Sequence, residues 1–126
     1  MERSKSERGA AAVEFALVVP LLLLLLLGVI EFGRVFNAQL QLSAAARESV
    51  RVMAIQKDPG TAIGAAIAGA PNLNPLLTAG NVLVTPTSCG STTDVTVTIT
   101  YSVQLLSGLF GATVPLTGRA VMRCGG

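Results

Sequence analysis

The sequence predicts an α+β protein in which one long amino-terminal helix crosses a membrane and then packs on a small three-stranded antiparallel sheet. Three observations predict it: an apolar run from Ala10 to Ile30, a helical pattern that continues from that run to Met53, and strict alternation of apolar and polar residues from Val95 to Leu105.

The apolar run comes first. Among its twenty-one residues Glu14 alone is ionisable, and at about 1.5 Å per residue a helix of that length reaches roughly 31 Å, enough to cross the hydrocarbon core of a bilayer. The preceding Met1 to Gly9, MERSKSERG, carries alternating charges without apolar periodicity and is expected to be an unstructured leader. A secretory signal peptide shares this order of basic, apolar and polar segments. No A-x-A site follows the leucines, however, and Ile30 is a poor neighbour for a signal-peptidase cut. The apolar part is therefore expected to be retained. Arg3, Lys5 and Arg8 crowd the leader, whereas Arg34 and Arg47 are spread out beyond the span, so the basic excess favours a cytoplasmic amino terminus. Pro20 interrupts the helix and removes the amide bond to the carbonyl of Ala16.

Glu14 separates an ordinary anchor from something more specific. A carboxylate at the centre of a bilayer costs about 2.5–3.5 kcal/mol on insertion scales, so a lone one calls for a partner. After Gly9 the chain reads AAAVEF: four uncharged residues, Glu14 and Phe15. This resembles a prepilin processing site, which a membrane peptidase cuts after the glycine, so that the glutamate becomes the fifth residue of the mature chain. Together with the leucine run Leu21 to Leu27, Glu31-Phe32-Gly33-Arg34 and Ala44-Ala45-Ala46-Arg47-Glu48, the segment from Arg8 to Met53 is similar to the TadE-like family, minor pilin-like proteins of the tight-adherence (Flp) pilus system. The resemblance implies a pilin-like fold and cleavage between Gly9 and Ala10. It also implies pairing of the new Ala10 amine with Glu14, in its own chain or in the next subunit. The implied partners are a prepilin peptidase, other pilin or pilin-like subunits and the membrane. The implied location is the bacterial inner membrane, with the carboxyl-terminal domain outside the cytoplasm and incorporation in a surface pilus as a further step. An independently binding signal-anchored envelope protein and a secretion-system pseudopilin remain alternatives.

Composition limits the chemistry. Hydrophobic residues make up 51% of the 126 and charged ones 13%, about half the usual share of a soluble domain. A net charge of +2 without tryptophan and with one tyrosine gives no basis for nucleic-acid binding. Without histidine there is no Ser-His or Cys-His pair, and two cysteines cannot complete a structural zinc site. No phosphate-binding loop is present. No catalytic residue, metal, cofactor or small-molecule substrate is expected, and the chain reads as the substrate of an enzyme rather than as one.

Beyond the span, Phe32, Phe36, Leu40, Ser43, Ala46, Val50 and Met53 follow steps of three and four. They predict that one helix continues to Gln56 with this stripe against the domain. Lys57-Asp58-Pro59-Gly60 ends it, with Asp58 as the cap and Pro59 as the start of a second helix to Gly69. Val95, Val97, Ile99, Tyr101, Val103 and Leu105 alternate with polar residues and predict a strand over 94–105 buried on one face, flanked by strands near 81–85 and 117–124. A bridge between Cys89 and Cys124 would close a loop of about 36 residues and stabilise the domain by about 3–4 kcal/mol. Leu105 to Gly111 is apolar enough to be a contact patch or a cover for the end of the core.

Overall fold

The computed structural model describes residues 2–106, 108 and 113–125. The chain forms two units, Met1–Gly33 and Arg34–Gly126. Helix α1 (Glu2–Gln56) supplies the first unit and opens the second.

In the first unit the apolar side chains face outward all round. Leu21 is 67% exposed, Leu24 58% and Leu26 54%. The most apolar eighteen-residue window has a mean hydropathy of 2.8 and none of it is buried. A helix apolar on every side needs lipid or other helices around it, so this one fits a single-pass membrane anchor. The leader from Glu2 to Gly9, expected to be unstructured, instead continues the helix. Propagating an existing helix avoids the nucleation cost, and Lys, Glu and Arg are good helix formers.

The second unit has the α+β arrangement that the sequence predicts. Helix α2 (Pro59–Gly69) follows α1, and a 3₁₀ turn over Ala79–Asn81 leads into β1 (Val82–Thr85). Strands β2 (Asp94–Gln104) and β3 (Thr113–Arg123) complete an antiparallel sheet in the order β1-β2-β3. Ile99 is the pivot of the register, opposite Val82 on one side and Gly118 on the other. Val95, Val97, Ile99, Tyr101 and Val103 all point into the core, because side chains two apart share a face of the pleat. Strand β3 begins at Thr113 rather than at Thr117. Pro115 hides this stretch from a sequence reading, since proline cannot donate to a ladder. An edge strand tolerates it, and the register continues through Ser102 opposite Pro115 to Gln104 opposite Thr113.

The helical stripe needs a correction. Phe32, Phe36 and Leu40 are 71%, 55% and 54% exposed, while Ala38, Leu42, Ala45, Ala46, Val50, Met53 and Ala54 are buried. The expected stripe thus holds at Ala46, Val50 and Met53 and fails at Phe32, Phe36 and Leu40, and the face that enters the core consists mainly of small residues. Close approach explains this. A Cβ on Gly118 would sit 2.6 Å from the Leu42 carbonyl oxygen, and one on Gly69 would sit 3.1 Å from the Ala45 Cα.

Lys57 ends α1 in a left-handed conformation (φ 59°) with its amide still bonded to the Met53 carbonyl at 2.9 Å. Asp58 caps α2 by accepting from the Thr61 amide at 2.9 Å. The buried Ser49 hydroxyl donates to the Ala62 carbonyl at 2.7 Å, tying α1 to α2. A disulfide joins Cys89 to Cys124, with Cα atoms 5.6 Å apart, and the Gly125 amide donates to the Ala54 carbonyl at 3.1 Å. The carboxyl-terminal end of the sheet is thereby fixed both to the loop after β1 and to α1. Most of the apolar connection from Leu105 to Gly111 lies outside the described residues.

Candidate functional site

The residues singled out by sequence fall in two places. Gly9, Ala10, Glu14 and Phe15 lie exposed on α1 within the first unit, and Phe15 is 70% exposed. Ala10 and Glu14 are four apart and so share one helical face, a single turn from each other. A Cβ on Gly9 would meet nothing within 4 Å, so its small size serves no contact inside this chain.

Glu31, Phe32, Gly33 and Arg34 straddle the boundary between the units. Arg34 has a job that sequence reading did not foresee: its Nη1 donates to the carbonyl of Gln104 at 3.2 Å, joining α1 to the end of β2. Five residues on, the Gln39 side chain donates to the Thr117 carbonyl of β3 at 3.0 Å. These bonds join the helix to both long strands. The only signal in the sequence was a polar residue at each position on a helix otherwise rich in apolar ones. That signal does not distinguish a clamp from a solvated side chain.

Near the same end of the sheet, Tyr101 donates its hydroxyl to the Pro75 carbonyl at 2.6 Å. Burial pushes the phenol above its ordinary pKa, and the positive charge of Arg34 opposes this. Asn81 accepts from the Thr78 amide at 3.0 Å and donates to the Thr100 carbonyl at 3.0 Å, which pins the 3₁₀ turn to β2. Asp58 shows the opposite perturbation to Tyr101. Hydrogen bonds from the Thr61 hydroxyl and then from its amide hold the Asp58 carboxyl below its ordinary value.

Two clefts open in this second unit. One of about 500 Å³ lies between the Pro75–Asn81 segment and the strands, bordered by Thr100, Ser102, Thr113 and Pro115. The other, of about 220 Å³, is lined by Arg34, Asn37, Gln41, Asn72 and Asn74, and the Gln41 Oε1 at its wall is buried with no hydrogen-bond partner. The first also carries Leu76, Tyr101 and Leu116 and is largely apolar, whereas amides and one guanidinium make the second polar. Among the described residues no group of three or more Cys, Asp or Glu side chains gathers as a metal site would require.

The exposed Gly9, Ala10, Glu14 and Phe15, the outward leucines and the Arg34 clamp all lie on one helix, and that helix is where the chain resembles known proteins. Residues 9–51 match the family model described as TadE-like protein. Over that segment the chain is similar to the TadE-like family. The TadE-like segment begins at Gly9 and ends within α1, so it contains Glu14, Arg34 and Gln39 but neither α2 nor any strand. No curated protein and no solved structure matches the chain.

Proposed function

We propose that the chain is a minor pilin-like structural subunit of a tight-adherence (Flp) pilus or of its assembly apparatus, inserted with its leader in the cytoplasm and cut between Gly9 and Ala10 by a prepilin peptidase. One observation carries this reading: the TadE-like match starts at Gly9, the residue after which the cut is expected. The arrangement around it agrees. Glu14 is exposed one turn beyond Ala10, so proteolysis would create a cation within reach of a carboxylate that is otherwise costly in lipid. The outward leucines would exchange lipid for neighbouring pilin helices at little hydrophobic cost, since both surroundings are apolar. Pairing of Glu14 with a terminal amine would then set the register of packing, while the disulfide-bonded domain stays outside the cytoplasm.

Mass spectrometry of the mature chain from cells that hold the peptidase tests the first step. The expected amino terminus is Ala10, and a chain still starting at Met1 or Glu2 would refute the proposal. Glu14→Gln tests the second. The variant is expected to be cut and to fold but to fail in assembly, whereas an independently acting anchored domain would keep its activity.

A further inference from the structure

The smaller cleft of the second unit holds an unmet demand. Gln41 of α1 stands on its wall, and the Gln41 Oε1 is buried with no hydrogen-bond partner among the described residues. A buried acceptor without a donor costs stability, so a fold that keeps one needs a donor from outside the chain. Three more carboxamides, from Asn37, Asn72 and Asn74, line the same space of about 220 Å³. Helix α1 presents Asn37 and Gln41 four apart on one face, and the Pro71 to Pro75 loop after α2 brings the other two. Arg34 adds a guanidinium whose Nη1 donates to the Gln104 carbonyl. The larger cleft makes no comparable demand, because the Tyr101 hydroxyl donates to Pro75 and the Asn81 side chain is bonded to Thr78 and Thr100.

We infer that this cleft binds one neutral sugar unit. Charge decides the class. No carboxylate lines the cleft and a guanidinium does, which excludes a cation. An ionised carboxylate or sulfate offers acceptors alone, where Gln41 needs a donor. A hydroxyl offers both, and adjacent hydroxyls on a ring present a donor and an acceptor side by side, as one carboxamide does. Size decides the extent. At about 30 Å³ for each water the space would take about seven, the bulk of a single six-membered sugar ring rather than of a chain. Ala38, Leu73 and Val103 complete the lining and offer an apolar wall to the C–H face of such a ring. The site adds a binding activity to the subunit reading and rests on neither cleavage after Gly9 nor assembly.

The uncut full-length chain, with nitrogen-15 in its glutamine side chains and held in phosphatidylcholine nanodiscs, is titrated separately with glucose, galactose, mannose and N-acetylglucosamine. The Gln41 amide signal is identified by its loss in Gln41→Leu, and Gln56, outside the cleft, serves as the control. At least one sugar is expected to shift the Gln41 signal saturably at millimolar concentration and to leave Gln56 unmoved. Asn72→Ala, at an exposed loop position, is expected to weaken that binding about tenfold. Gln41→Leu is expected to unfold at no lower temperature than wild type, since it removes the unpaired acceptor. It is also expected to lack the rise in melting temperature that the bound sugar gives wild type. A cleft that holds only water gives no Gln41 shift with any of the four sugars, and that result would overturn the inference. A Gln41 shift produced by N-methylacetamide and by none of the sugars would overturn it in favour of a peptide group. Equal sugar affinity in Asn72→Ala and wild type would place the binding elsewhere and overturn it too.

Discussion

The two units of this chain use apolar residues in opposite ways. In Met1–Gly33 the side chains are large and face outward, Leu21 at 67% exposed and Phe15 at 70%. In Arg34–Gly126 the helix buries mostly small ones, with Ala45 and Ala46 at 0% and Gly69 close against Ala45. The difference shows what each segment is solvated by. Large exposed side chains gain from surroundings the chain does not contain, lipid or neighbouring helices, whereas small buried ones let a helix approach a thin sheet closely enough to exclude water. Phe36 and Leu40 are exposed as well, although they lie in the second unit.

The comparison can be broken most forcefully at the disulfide. Replacing Cys124 by Ser is expected to cost about 3–4 kcal/mol in the second unit. Reductant should weaken the wild-type domain by a similar amount and leave the variant unchanged in denaturant titrations. If reductant leaves the wild type unaffected, the bridge between the end of β3 and the loop after β1 does not stabilise the domain.

Next in size is a pair of glycines. Gly118→Ala drives a Cβ to 2.6 Å from the Leu42 carbonyl oxygen and should destabilise the domain by about 2–3 kcal/mol, as overpacking does. Gly28→Ala meets nothing within 4 Å and should leave domain stability unchanged. Equal effects in calorimetry would erase the distinction drawn between the units.

Tyr101→Phe sharpens the picture on a smaller scale. Loss of the hydroxyl bond to the Pro75 carbonyl is expected to cost about 1 kcal/mol. The folded phenol titrates above its ordinary value of 10.0, so its contribution is complete below that pH and is lost as pH rises through the higher native value. Wild type should therefore lose stability in alkali relative to the variant. Asp58→Ala carries the smallest effect and the opposite sign. Because the carboxyl is held below 3.8, its capping contribution is complete above that value and fades as pH falls through the lower native one. An amide-exchange comparison over α2 should show a difference between wild type and variant at neutral pH that disappears in strong acid.

Some of this was legible in the residues. The alternation from Val95 to Val103 is a one-dimensional pattern, and a strand that buries one face must repeat every second residue, so the core face of β2 could be read directly. The exposed span was legible for the same kind of reason, since length and apolarity alone decide whether a helix can cross a bilayer. The clamp residues were not. Arg34 and Gln39 are ordinary polar residues on a helix, and their acceptors lie 70 and 78 residues further along the chain.

Taken alone, the sequence determined the apolar span and the pattern of the central strand, because each depends only on neighbours along the chain. Only the tertiary structure decided which face of α1 enters the core. Hydrophobicity favoured Phe32, Phe36 and Leu40, but Ala38, Leu42 and Ala45 are buried instead, where Gly118 of β3 lies against Leu42 and Gly69 of α2 against Ala45. Packing at close range is a property of two surfaces, and the sequence of either one does not contain the gap between them.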